Sequence, residues 1–263
     1  MPDIFPERDE QSHKGENGKV AVIGGSRVIH GAPIFSALAA EASGVDLVYM
    51  FVSPANESIT KNASLNVQVR TFRDEEIGNN DVQPILELLA TIDCAVIGPG
   101  LNRDKNSLAA IGKIVAGALC PVVLDASALQ NDTLKWVRGK TAILTPHLGE
   151  LGRLEFPANA LANTAQANGI TILLKGPMDI IADQEGHLHE SPGGNAGMTV
   201  GGTGDALAGL IAGLVAQKMP PVDAALLASK TMKKVGELLA KEKGYHFTTQ
   251  DVIEQIPYIL NNK

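Results

Sequence analysis

Residues 193–213 read GGNAGMTVGGTGDALAGLIAG, a glycine-rich loop that runs straight into an apolar segment expected to be helical over 205–217. Gly202, Thr203 and Gly204 stand where a helix leaves its first N–H groups without partners. Small residues there keep those donors open to a ligand, so the junction predicts an anion hole. The helix dipole adds about 0.3–1 kcal/mol for a negative charge at that point. Asp205 follows at once. A carboxylate in the first helical turn is a reasonable cap, yet beside an anion site it would repel a phosphate. A base that takes a proton from a hydroxyl attacking that phosphoryl group has a reason to be there. Cap and base are both open from the residues alone.

Outward from this junction, β-branched runs alternate with Ala/Leu-rich runs, the rhythm of a largely parallel sheet covered on both faces. Strands are expected at 19–23, 46–52, 67–71, 94–97, 122–125, 141–144 and 170–174, and helices at 32–42, 82–91, 108–118 and 158–168. Residues 179–183 and 187–190, separated by Gln184-Glu185-Gly186, predict an antiparallel hairpin. Helices at 205–217, 222–243 and 251–260 complete the chain, the second started by Pro220-Pro221. No linker or repeat divides the sequence, so residues 1–263 are expected to form one domain, with 1–14 flexible or peripheral.

Ligands of such sheets lie beyond the carboxyl ends of the strands. Five segments carry small or polar residues there: Gly24-Gly25-Ser26, Gly98-Pro99-Gly100-Leu101-Asn102, Asp125-Ala126-Ser127, Thr145-Pro146-His147-Leu148-Gly149-Glu150, and Lys175-Gly176. A need for tight turns explains any one of them. Together they describe one edge suited to a long anionic ligand.

Composition narrows the classes. Lys plus Arg number 22 against 29 Asp plus Glu, a net charge of −7 that argues against nucleic-acid binding. The polar N-terminus lacks a signal-peptide core, and the apolar runs at 45–52 and 206–216 are short of the ~20 residues that span a bilayer. A cytoplasmic protein with two reduced, buried thiols, Cys94 and Cys120, is expected. Gly139-Lys140-Thr141 is no P-loop, because the required first glycine falls on Leu134. The dinucleotide fingerprint, the serine nucleophile elbow and the zincin helix are absent. His187 and His189 share a strand face without a third ligand nearby in sequence, which favours a solvated surface pair; no metal ligand from the protein is assigned.

Ordered along the chain, HKGENGKVAVIGGS (13–26), GAP (31–33), GPGLN (98–102), LDASAL (124–129), LTPHLGE (144–150), LKGPMDIIA (174–182) and GNAGMTVGGTGDALAG (194–209) resemble the ADP/ATP-dependent NAD(P)H-hydrate dehydratases. That family is a branch of the ribokinase-like fold. The resemblance implies a three-layer α/β/α sandwich with a mostly parallel central sheet and a small antiparallel hairpin. It implies repair of the (6S) hydrate of NADH or NADPH: the ring hydroxyl is phosphorylated by ADP, or by ATP in eukaryotic members, and phosphate then departs. By family position Asp205 is the base and Gly202, Thr203 and Gly204 form the anion hole. Ala32, Gly100, His147 and Asp205 would contact the hydrate. Lys175, Gly176, Pro177, Met178, Asp179 and Gly204 would contact the adenine nucleotide. Mg²⁺ is expected, as is a homo-oligomer, with a tetramer common in the family; the fused epimerase domain of many prokaryotic members is not expected.

Departures from the family pattern are Leu148 for proline, Ser127 for aspartate, Ile29-His30 for Tyr-Thr, and Asp179 for threonine. The last is expected to put extra negative charge near the nucleotide. Two rivals share part of this evidence. A small-molecule kinase, for hydroxyethylthiazole or a sugar, would yield a stable phosphorylated product. A nucleotide-binding sensor would bind without turnover.

Overall fold

Val20, Ala21, Val22 and Ile23 are all buried, as a strand covered on both faces requires. A computed structural model describes residues 8–261. Its strands are β1 (Lys19–Ile23), β2 (Leu47–Val52), β3 (Val67–Thr71), β4 (Cys94–Ile97), β5 (Val122–Leu124), β6 (Ala142–Leu144), β7 (Thr171–Leu174), β8 (Asp179–Ala182) and β9 (Leu188–Ser191). They form one sheet in the order β3-β2-β1-β4-β5-β6-β7-β8-β9. Pairings from β3 through β7 are parallel, and β7-β8 and β8-β9 are antiparallel.

The helices are α1 (Gly31–Ala42), α2 (Glu57–Ala63), α3 (Asn79–Leu89), α4 (Lys105–Gly117), α5 (Thr133–Trp136), α6 (Leu148–Leu154), α7 (Leu161–Asn168), α8 (Thr203–Ala216), α9 (Pro221–Lys243) and α10 (Thr249–Asn261). Alternate residues of the central strands face opposite cores. Val20 and Val22 join a cluster with α1, α8, α9 and α10. Ala21 and Ile23 join the other, with α3, α4, α6 and α7. The molecule is the expected three-layer α/β/α sandwich with a hairpin at one edge.

Three short helices, α2, α5 and α6, were not expected from the sequence. Their polar or brief apolar patterns carry little helical periodicity. Strand β2 starts at Leu47 rather than 46 because the Asp46 carboxylate accepts from the N–H groups of Gly15 and Asn17 at 2.7 and 3.1 Å. Arg8 also pairs with Asp46. Residues 1–7 of the leading segment expected to be peripheral lie outside the described residues.

Sheet order reverses between β1 and β4, the switch point where loops diverge and leave a crevice. The chain closes the base of that crevice itself. Gly25 N–H donates to Pro99 O at 2.8 Å and Gly98 N–H to Ile23 O at 3.1 Å.

Candidate functional site

Helix α8 begins over this crevice, and its first turn is built for an anion. Among the described residues, no acceptor takes the N–H groups of Gly202, Thr203, Gly204 or Asp205. The loop before it is pinned from behind. Asn195 accepts from Gly197 N–H at 2.8 Å and donates to Gly236 O at 2.6 Å, while the Thr203 hydroxyl donates to Met198 O at 2.8 Å. Gly202 has φ +103°, and a Cβ there would fall 2.4 Å from Phe35 of α1. A side chain at 202 would therefore push α8 away from α1 as well as strain the turn.

Asp205 is half-buried, and neither carboxylate oxygen accepts a hydrogen bond from the described residues. It does not cap its helix. Its backbone is held instead, by Ser36 Oγ donating to Asp205 O at 2.9 Å. Burial pushes the Asp205 carboxyl up to about 7; Asp125 adds to the rise, Lys175 opposes it, and Glu150 adds a smaller part.

Those neighbours come from the strand-end segments expected along one edge, and they form a hydrogen-bonded network. Lys175 Nζ donates to Asp125 Oδ1 at 2.7 Å and lies 3.8 Å from Glu150 Oε2. Thr145 Oγ1 donates to the same Asp125 oxygen at 3.0 Å. Burial opposes the Lys175 charge, but Asp125, Glu150 and Asp205 outweigh it and raise its pKa. Gly204 stands beside this ammonium, since a Cβ there would lie 3.3 Å from Lys175 Nζ. Asp125 Oδ2 remains without a hydrogen bond from the described residues. A half-buried cation, an unengaged carboxylate and a row of open N–H groups thus meet at one point.

Residues assigned to the hydrate divide into two places. Gly100, at φ +70°, packs against Gly25, Ile29 and Ala32: a Cβ at 100 would lie 3.4 Å from that of Ala32. These two stand at the crevice mouth. His147 caps α6, its Nδ1 accepting from Gly149 N–H at 2.9 Å while the His147 backbone N–H donates to Glu150 Oε2 at 2.9 Å. Lys175 N–H donates to Pro146 O at 2.8 Å, which ties this turn to the Lys175 network.

The residues assigned to the nucleotide also divide. Lys175 points to the centre, whereas Gly176, Pro177 and Met178 form an exposed turn. Asp179 corrects the expectation of a charge facing the nucleotide. Its carboxylate is turned into the fold, where it accepts from Gly176 N–H at 2.9 Å and Ser229 Oγ at 2.6 Å and lies 3.5 Å from Lys233 Nζ. Buried Lys233 also donates to Gly176 O at 3.2 Å, Pro177 O at 3.0 Å and Gly193 O at 3.4 Å. One ammonium therefore gathers the 176–179 turn and the start of the glycine-rich loop. Lys233 carried no sequence signal, being one of several lysines on a long helix.

Cys94 and Cys120 are buried free thiols, as expected. His187 and His189 are not merely solvated, because both ring systems meet the buried Asp183 carboxylate. No described helix is long and apolar enough to cross a membrane.

The chain is similar to known proteins along most of its length. The family profile described as NAD(P)H-hydrate dehydratase matches residues 20–258. An ADP-dependent (S)-NAD(P)H-hydrate dehydratase of Cenarchaeum symbiosum is 38% identical over 98% of this chain and 93% of its own. Among solved structures, an ADP/ATP-dependent NAD(P)H-hydrate dehydratase of Bacillus subtilis, co-crystallized with ATP/Mg²⁺, superposes with a TM-score of 0.82 at 27% identity, over 97% of this chain and 93% of its own. A hydroxyethylthiazole kinase of Pyrococcus horikoshii shares the fold at a TM-score of 0.63 and 17% identity, over 95% of this chain and 93% of its own.

Proposed function

The chain belongs to the NAD(P)H-hydrate dehydratase family, and from that premise we propose how its residues carry the reaction. It is an enzyme of the lyase type that dehydrates the (6S) hydrate of NADH or NADPH at the expense of an adenine nucleotide, with ADP as donor. The carrying observation is Asp205, an unpaired, half-buried carboxylate with its pKa near 7, set on a helix turn whose N–H groups are open.

The hydrate lies along the crevice mouth by Ala32 and Gly100, with its ring hydroxyl toward Asp205 and His147 at the rim. The nucleotide lies over the 175–179 turn with its terminal phosphoryl at the N–H groups of Gly202, Thr203 and Gly204. Asp205 takes the hydroxyl proton as the oxygen attacks phosphorus, and AMP leaves. The open N–H groups meet the charge that grows on the phosphoryl oxygens, an arrangement fixed before reaction. Phosphate and a ring proton then depart, restoring the double bond. In sum, hydrate plus ADP gives NAD(P)H, AMP and phosphate. Lys175 neutralises charge between the phosphates and Asp125.

Carboxylate oxygens suit Mg²⁺, and Asp125, with one oxygen unengaged, and Glu150 are the residues that would hold it. Bound there, the ion would neutralise phosphate charge. The reading extends to a cytoplasmic homo-oligomer, a tetramer by family resemblance, which sedimentation velocity tests. Incubation with NADH hydrate and ADP, followed by chromatography, tests the chemistry. Equal amounts of AMP, inorganic phosphate and NADH support it. A stable phosphorylated organic product would replace it with the small-molecule kinase.

A further inference from the structure

The charged centre is held from behind by a residue that the dehydration does not touch. Arg153, half-buried in the last turn of α6, spans from its own helix to the loop after β5. Its Nε donates to Leu129 O at 3.0 Å, and its Nη2 donates to Ala126 O at 3.1 Å and to Glu150 Oε1 at 3.2 Å. Two of these acceptors lie in the turn that follows Asp125. Ala126 has φ +50° there, a left-handed conformation that an alanine keeps only where its surroundings hold it. The third acceptor belongs to buried Glu150, whose two oxygens face opposite ways. Arg153 takes Oε1, which leaves Oε2 to the His147 backbone N–H at 2.9 Å and to Lys175 Nζ, 3.8 Å away.

We propose that Arg153 is a positioning residue for the dehydration: by fixing the turn after Asp125 and one oxygen of Glu150, it sets both carboxylates in register with Lys175 and the phosphoryl beside it. The inference rests on the roles given above to Asp205 and Lys175. A guanidinium suits the task because its donors diverge in one rigid plane and can bind two loops at once. A lysine ammonium is a single point charge on a flexible stem and cannot hold all three acceptors. Loss of the fork strands Glu150 Oε1 in a buried place and releases the turn, so Asp125 and Glu150 both shift against Lys175. Transfer is sensitive to such shifts, since a misplacement of about 1 Å away from the chemistry can lower a rate on the order of 100-fold. Ala32 and Gly100, assigned to the hydrate, stand on other loops, so the loss falls on kcat and spares KM for the hydrate.

The test is steady-state kinetics of the parent, Arg153→Met, Glu150→Gln and the double variant with NADH hydrate, ADP and Mg²⁺, each well below its melting temperature and with its fold checked by circular dichroism. Arg153→Met lowers kcat roughly 10- to 100-fold and leaves KM for the hydrate within about twofold of the parent. The double variant loses much less than the product of the two single losses, because the residues act together. Arg153→Lys keeps the charge and the stem yet does not restore kcat, and it stands in for the methionine variant if that one does not fold. Parent-level kcat in either Arg153 variant, even with a lowered melting temperature, would overturn the proposal and leave Arg153 a structural clamp. Losses that multiply in the double variant, or a loss confined to KM, would overturn it too. In each of these cases the parent still turns over with ADP; a parent without ADP-dependent turnover would instead overturn the dehydratase reading and this inference with it.

Discussion

Replacing Asp205 by Asn separates its catalytic role from its effect on stability, because the two move in opposite directions. In the folded chain the carboxyl ionises near pH 7, against 3.8 for a free side chain. A group raised in this way binds its proton more tightly in the folded state, so stability falls as pH rises from about 4 to about 7. Above that window the charged form costs up to about 4 kcal/mol, at 1.36 kcal/mol per pH unit of displacement. Partial exposure reduces this, and about 1–3 kcal/mol is expected. Asparagine has the same shape and no charge. Asp205→Asn therefore melts above the parent at pH 8.5, by several degrees at roughly 2–4 °C per kcal/mol for a chain of this size, and the gap closes as pH falls to about 4. Its turnover falls roughly 10²- to 10⁴-fold, the scale for loss of a general base. Differential scanning fluorimetry across pH reads the first effect and NADH recovery the second. A melting difference independent of pH would refute the burial argument, and near-parent turnover would remove Asp205 from the chemistry.

Other consequences follow from the same network. The rate constant kcat/KM should climb about tenfold per pH unit below about 7 and level off above it, as Asp205 loses its proton; a flat profile from pH 5 to 8 would contradict this. Lys233→Met strands the buried Asp179 charge, so stability drops by about 3–5 kcal/mol. The double variant Lys233→Met/Asp179→Asn recovers part of it in urea unfolding, while KM for ADP rises tenfold or more and kcat changes little. Equal loss in kcat and no change in KM would show that Lys233 does not shape the nucleotide turn. Gly202→Ala meets Phe35 and a positive φ together. It should unfold at a lower temperature than the parent and lose ADP-induced thermal stabilisation, whereas Gly152→Ala, with open space around it, should not.

Much of this was legible in the chain because its signals are local. Continuous apolar runs such as 20–23 and 94–97 could only be strands buried on both faces, and they are. The loop into α8 announced itself by glycines ahead of an apolar helix. What escaped depends on residues far apart. Asp125, Glu150 and Lys175 were read along one edge, but that they meet in one ion-pair network, Glu150 from the first turn of α6 and the other two from the ends of β5 and β7, follows only from the parallel pairing of β5, β6 and β7. Asp179 looked outward in sequence because its partners, Ser229 and Lys233, lie 50 or more residues away on α9. Helix α6 was hidden because its capping box uses His147 with Glu150 in place of the usual serine or threonine start. Asp183 likewise supplied a third partner for His187 and His189 from just outside the strand face on which the pair was read.

Absorbance in the reduced-nicotinamide band, followed after mixing the chain with (6S)-NADH hydrate and Mg²⁺ with or without ADP, tests the central claim most directly. The account predicts a rise that requires ADP and is all but lost in Asp205→Asn. No rise with ADP or ATP, from folded protein, would contradict it.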